Sequence, residues 1–537
     1  MHFSMKVDIP VVVPDDYEHN PTRRRDSGMK NIQYVIVIIL VIGFLAPVNV
    51  LSANKIQKEK IDVLMKPFKD WQIFPDSITP SPNSRHVAAV ARKGKKFAVA
   101  YDGKVFKEYD LISKGTPIFS RDSQHYVYSA KKGIKWTVVL DSKEGKAYDK
   151  VSIPVFSSDS KHLAYIAESD MKQFVVLDGK ESKGYDGIPP KYNLVFSNDS
   201  SKFAFYAIKA KKMLVVLDNI ESKIYDAVSY PAFSPDSKHF IFPVMTTDAK
   251  TKKYEEFLVI DNHEGPHYDK IGAFVYSPDS SHFAYSAKLN EKGFMIFDGK
   301  EQEKFTNVAI PKYSPDSKTM AYFAVEGNKS FMVFNGIKGN AYDEVRDLLF
   351  SPDSKHTILT VRNGKEWHAL IDGKLGPRYD ETLAPAYSPD SKHSAYIAVD
   401  NNGKMFVVYD GKEGSKYNLI TFIQFSEDSK HLFYMAEKDK KWGVVIDGKE
   451  SEFYDGVALP TYSPDSKHIV YIAQNQNVWF LVIDGVNTKN KVFGFVKGSE
   501  IIFDKDKGNS LYIMALSEKF EPSLGPDIIK FTVELSD

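Results

Sequence analysis

Cysteine is absent from all 537 residues of the chain. Its absence excludes disulfides, thiolate metal sites, cysteine nucleophiles and the lipid-bearing cysteine of a bacterial lipoprotein. Net charge is nearly absent too, at +1, so no global field draws the chain to nucleic acid or to an anionic surface. Long apolar runs are lacking. The longest, 13 mostly apolar residues from Tyr34 to Ala46, falls short of the ~20 that a membrane span needs. The sequence also has no G-x-S-x-G elbow, P-loop, dinucleotide fingerprint or H-E-x-x-H. With them go the α/β-hydrolase, nucleotide-driven and zincin mechanisms.

What the chain has is one sentence repeated. The signature [FY]-S-x-D-S-x-H recurs with its acid at Asp122, Asp159, Asp199, Asp236, Asp279, Asp316, Asp353, Asp390, Asp428 and Asp465. A degenerate copy precedes these at Asn83 and another follows at Asp506. These twelve anchors, numbered below as units 1 to 12, are spaced 37 to 43 residues apart. A fixed period of this size decides the architecture.

The stretch Pro385 to Ile420 shows what one unit builds. Pro385–Ser388 is a short first strand, with proline where a missing N–H does least harm. Ser388-Pro389-Asp390-Ser391 is a β-turn, with proline presetting φ and the polar side chains bonding locally. A second strand follows at His393–Ala398, then a polar loop and a continuously apolar third strand at Met405–Tyr409. Asp410-Gly411 signals a tight hairpin, which recurs at Asp102, Asp178, Asp298, Asn335, Asp372, Asp447 and Asp484. The fourth strand, Lys412–Tyr417, is polar, as suits an outer edge. The expected fold class is therefore all-β, a β-propeller of twelve four-stranded blades. One blade cannot bury both faces alone, so blades must stack. Phe156, Phe196, Phe233, Tyr276, Phe350, Tyr387 and Phe425, each just before the turn serine, are expected between them.

The SPDS turn, with an acid closing the third strand, resembles the TolB-like and WD-repeat propellers of bacterial exported proteins. The resemblance runs from about Ile56 to Asp537. Serine replaces the glycine usual in that family's SPDG turn, and no Trp-Asp pair ends the third strand. The Tyr-Asp pairs at Tyr148-Asp149, Tyr185-Asp186, Tyr225-Asp226 and Tyr342-Asp343 mark a variant repeat. The resemblance implies an exported propeller and leaves open a role like that of TolB in the Tol-Pal envelope system.

Three segments divide the chain. Residues 1–28 have no periodicity and read as an extension. Residues 29–53 read as a secretory signal, with Lys30, the short apolar run, and small residues at Ser52 and Ala53. The alternative is an anchor in the inner membrane through residues 32–50. Residues 54–537 are the propeller array, and its product is expected to be periplasmic or secreted. Unit 12 supplies three strands, the last at Ile528–Leu535, and Lys55–Phe74 belongs to no complete unit. A strand within 55–74 is expected to complete the last blade, since closure alone removes sheet edges. Rings usually have four to eight blades, so two rings of six are favoured over one large ring.

Nine of the 14 histidines occupy one repeat position, opening the second strand. Equal copies on successive blades are too far apart for a metal crown, which needs imidazoles on one ion. The repeated aspartates at turn corners are likewise structural, because catalysis needs one asymmetric constellation. No cofactor, metal or catalytic residue is assigned. Asymmetry lies in loop length. From the His position to the hairpin acid the count is 16 in most units and 22 in the Asp236 unit, within Val244–Glu256. From hairpin acid to next turn the count is usually 18, rising to 20 after Asp102 and 21 after Asp178. Both connections lie on one face of a propeller, where recognition residues belong. Lys250, Lys252, Lys253 and Tyr254, with Lys209, Lys211 and Lys212 nearby, are the candidate partner-binding residues. The expected function is an exported, non-enzymatic scaffold that binds a protein or envelope component and no nucleic acid. The rival is a propeller hydrolase or lyase acting on an envelope polysaccharide.

Overall fold

The computed structural model describes residues 56–189, 194–248, 252–504, 510–518 and 526–535. Every sheet in it is antiparallel, and the strands of each unit neighbour one another in chain order. Unit 9 is representative: Glu381–Tyr387, Ser394–Val399, Met405–Tyr409 and Lys412–Glu413. This is the strand order of a propeller blade. First strands of successive units touch, as Glu344–Phe350 touches Glu381–Tyr387 and that strand touches Leu419–Phe425.

Two details of the unit differ from expectation. The first strand begins four residues earlier than Pro385 and carries a bulge between Leu383 and Ala386. The bulge residue is left-handed in four consecutive units, with φ of 58° at Asp347, 50° at Ala384, 58° at Phe422 and 51° at Leu459. No glycine marks the position, so no turn signal stands there. The fourth strand pairs over two residues, breaks, and returns to the ladder at a single tyrosine, as Tyr417 does against Met405. The Asp-Gly hairpins are as expected, with φ near 46° at Asp410 and 77° at Gly411, the two left-handed residues of a type I′ turn.

The repeated polar residues form a single hydrogen-bond relay. Within a turn, Ser388 Oγ donates to Asp390 Oδ1 at 2.7 Å, and that oxygen also accepts the Lys392 amide. The Ser388 hydroxyl accepts the His393 amide. Between units, the Asp390 amide donates to Ser429 Oγ of the next turn at 2.9 Å. Ten such links, of 2.9–3.2 Å, run from unit 1 to unit 11. Each of the nine repeated histidines donates through Nδ1 to the hairpin aspartate of its own unit, at 2.6–2.8 Å. Histidine and hairpin acid thus pin the two ends of the second and third strands together.

Apolar packing follows the chain. One buried cluster joins units 1 and 2 through Val99, Tyr109 and Tyr128, and another joins units 6 and 7 through Met295, Phe305 and Tyr322. The aromatics before the turn serine do sit in these layers, with Phe233 and Phe350 buried and Phe156, Phe196, Tyr276, Tyr387 and Phe425 half-buried. The tyrosine of the fourth strand is the deeper anchor. Tyr148 is buried and its hydroxyl donates to Glu181 of the following unit at 2.8 Å.

The strand expected within 55–74 is Ile56–Met65, which pairs antiparallel with Ile528–Leu535. Met65, Val87, Ala89, Ala100, Met514 and Ile528 form a cluster between units 12 and 1. Two rings of six would instead set unit 6 on unit 1 and unit 7 on unit 12. Apolar clusters join unit 6 to unit 7 and unit 12 to unit 1.

Candidate functional site

Lysines at the start of the third strand turn out to be a repeated structural feature. Lys212 pairs with Asp226 at 3.0 Å and Lys253 with Asp269 at 2.5 Å. The same Lys-to-(Tyr)-Asp pair, 14 residues apart in most units, occurs at Lys96–Asp110, Lys135–Asp149, Lys172–Asp186 and Lys329–Asp343. The aspartate does a second job: Asp186 Oδ2 accepts the Ala210 amide in the next unit's hairpin at 2.7 Å. Its lysine and that amide hold its carboxyl below the usual range. Asp269, likewise lowered by Lys253, raises Lys253 in return.

The expected basic cluster is therefore largely matched by carboxylates. Lys209 pairs with Glu221 at 3.1 Å. Lys211 and Lys252 are exposed at left-handed turn positions, with φ of 65° and 58°. Lys250 lies outside the described residues. Tyr254 is 49% exposed and its hydroxyl donates to Glu256 at 3.0 Å. It lines a cleft of about 340 Å³ with Met245, Glu256, Asp269, Lys270 and Phe274, between units 5 and 6. Lys209, Lys211 and Lys212, on unit 4, do not line it.

A larger cleft, about 600 Å³, opens between units 1 and 2. Its cause is local. In units 3, 5 and 7 the first strand is interrupted for three residues, as between Lys150–Val151 and Val155–Phe156. In units 1 and 2 the interruption is five residues, between Gln72–Ile73 and Thr79–Pro80 and between Leu111–Ile112 and Ile118–Phe119. In unit 1 a 3-10 turn at Pro75–Ser77 fills the gap, and Ser77 Oγ donates to Phe74 O at 2.7 Å while accepting the Val90 amide. In unit 2 Thr116 Oγ1 donates to Ser113 O at 2.7 Å, and Gly115 takes a φ of 84° that favours glycine. Between the two excursions lie Phe74, Val90, Phe97, Ile112 and Phe119, with Phe74 and Phe97 stacked 6.1 Å apart. Asp76 and Lys114 stand on opposite sides of the rim. An apolar floor with a few polar rim groups is the ordinary make-up of a binding cleft. Its trace in the sequence is the 20-residue count after Asp102, a smaller excess than the insertion in unit 5.

A further asymmetry had no repeat signal. Arg346, on the first strand of unit 8, stacks 4.0 Å from the Trp367 ring and donates to Glu381 of unit 9 at 2.9 Å. Lys312 of unit 7 donates to Leu348 O of unit 8 at 2.8 Å, and burial pushes its pKa down. Both side chains tie neighbouring first strands together.

No family model matches the chain, and no curated protein matches it in sequence. Among solved structures it is similar to a eukaryotic initiation factor, at 12% identity and a TM-score of 0.34, over 68% of this chain and 94% of that one. It is similar to the β-propeller domain of the Trilobed protease from Pyrococcus furiosus, at 14% and 0.26, over 49% and 94%. TolB from Acinetobacter baumannii gives 14% and 0.21, over 46% and 79%. The blade architecture itself rests on the strand order and packing of this chain.

Proposed function

We propose that the twelve units close into one ring, and that this ring is an exported, non-enzymatic scaffold which binds a partner protein in the cleft between units 1 and 2. Closure is supported by the pairing of Ile56–Met65 with Ile528–Leu535 and by the apolar cluster between units 12 and 1. A binding role rather than catalysis is supported by the state of the repeated acids and histidines. Among the described residues each sits in a structural hydrogen bond, such as His356 to Asp372 at 2.8 Å. The observation that carries the reading is the 600 Å³ cleft itself, an aromatic-floored break in the repeat. It suits an apolar or aromatic side chain on an extended segment, with Asp76 and Lys114 available to the flanking polar groups. Export is supported by the signal-like sequence of residues 29–53, and N-terminal sequencing of the mature protein should begin near Ala53 or Asn54.

The test is in-cell crosslinking from a photoreactive residue at Lys114. A partner should be captured, and Ser113→Trp, which fills the cleft from its rim, should abolish that capture while leaving thermal unfolding unchanged. Retention of the full set of crosslinked partners in the filled variant sinks the reading.

A further inference from the structure

The twelve units do not present equal outer edges. In units 3, 9 and 10 the fourth strand pairs over two residues, as Lys180–Glu181, Lys412–Glu413 and Lys449–Glu450 do. Such short, broken, lysine-bearing edges discourage further pairing. Unit 12 ends instead on Ile56–Met65, ten residues long and partnered at eight positions with Ile528–Leu535. It is the terminal strand of its sheet, so its outer edge pairs with no described strand. Its C-terminal end is fixed by burial of Met65, and its N-terminal half by Glu59, whose carboxylate accepts the Lys489 and Asn490 amides at 2.8 and 2.7 Å. Between those anchors Ile61 and Val63 are 41% and 47% exposed on one face. On the opposite face Lys60 and Asp62 lie 2.8 Å apart and exposed to partner charges. A regular, pre-aligned edge of this kind recruits an extended strand.

We propose that the edge strand Ile56–Met65 pairs antiparallel with the same strand of a second copy, making a two-fold dimer of propellers. The sequence of the strand selects the occupant. Antiparallel self-pairing centred on Ile61 sets Lys60 opposite Asp62 of the second copy, twice by symmetry, and Ile61 opposite Ile61. Registers centred one residue either way set Lys60 opposite Lys60 or Asp62 opposite Asp62, and like charges directly opposed are unfavourable. Only the Ile61-centred register satisfies both the charges and the exposed apolar pair.

The absence of cysteine makes the test direct. Directly opposed residues of an antiparallel pair have Cα atoms about 4.5–5.5 Å apart, within the range a disulfide bridges. Ile61→Cys in the purified protein should form a disulfide-linked dimer under mild oxidation, and Lys449→Cys, on a short outer edge, should not. Sedimentation velocity over a dilution series should show a dimer, and Lys60→Asp should weaken it about tenfold. The double exchange Lys60→Asp with Asp62→Lys should restore it. A monomeric mass throughout, with no more crosslinking at Cys-substituted Ile61 than at Lys449, overturns the proposal and leaves the edge to a foreign segment. A dimer indifferent to Lys60→Asp overturns it as well.

Discussion

The joint between units 8 and 9 and the joint between units 12 and 1 do the same work with different parts. At the first, the Asp353 amide donates to Ser391 Oγ at 2.9 Å, a link the chain repeats nearly everywhere. At the second, Asn83 stands at the turn position of unit 1, and Tyr512 of unit 12 donates its hydroxyl to Asn83 O at 3.0 Å. Arg85 donates to that same hydroxyl at 3.2 Å and lies 6.0 Å from the ring centroid. The regular joint is also backed by covalent continuity, whereas the seam relies on these contacts, the ladder of Ile56–Met65 and the cluster around Met65. A repeated joint can rely on many weak copies, while a unique seam must rely on a few strong contacts.

Deleting Ile56–Met65 tests this contrast most severely. Truncating a buried methionine alone costs ~2–5 kcal/mol, and deletion also bares the long strand Ile528–Leu535 as an edge. The expected outcome is an insoluble protein, or an unfolding midpoint lowered by about 10 °C or more. Unchanged solubility and melting would mean that the seam bears no load.

Acid should separate the two joints next. Asp353, Asp390 and Asp428 are lowered from 3.8 to about 2, first by their turn serines and then by the lysine amides. Folded-state values below the unfolded ones contribute stability that is full above pH ~4 and lost as pH falls toward 2. Asn83 does not titrate. Hydrogen exchange measured at decreasing pH should show protection falling at the Asp353, Asp390 and Asp428 turns while the unit 1 turn holds. Equal loss at all four would refute the assignment.

Smaller effects sharpen the comparison. Glu59→Ala removes the carboxylate that holds the Lys489 and Asn490 amides, and should cost roughly 1.5–3 kcal/mol in a denaturant titration. Ser391→Gly removes one inter-unit acceptor at a φ of 64° that glycine adopts freely, and should cost only about 1 kcal/mol. If the order of these two is reversed, the regular joints rather than the seam limit stability.

Much of this was readable from residues alone, for an identifiable reason. Pro389-Asp390 and Asp410-Gly411 fix local backbone geometry whatever surrounds them, so turns, hairpins and strand order followed from period and turn chemistry. The closing strand was legible because unit 12 lacked a fourth strand while Lys55–Phe74 had no unit to join. The lysines near the unit 5 insertion looked like a basic patch because sequence does not show that Lys212 and Lys253 face Asp226 and Asp269 across a hairpin. The His–Asp pairs were missed likewise, since 16 residues separate His86 from Asp102 and only the folded ladder brings them to 2.6 Å. Ring number has no such signal, because it is set by the angle between neighbouring units, a property of packed side chains and not of any motif. The cleft at Phe74 and Phe119 showed in advance only as two surplus residues.

The serine-to-amide relay has a consequence for how such a chain can change over generations. Asp353 finds Ser391 by the same geometry with which Asp390 finds Ser429, and each contact joins the front of one unit to the back of the next. A duplicated unit spliced between two others would offer both neighbours the partners they already use, so gain or loss of whole blades inside the array is chemically cheap. The joint between units 12 and 1 stands outside that traffic, because there Tyr512 bonds Asn83 O and accepts from Arg85 instead. Head-to-tail contacts of this kind yield a ring or an open helix depending only on the accumulated rotation. The terminal pair is then what registers whether the number of blades is right.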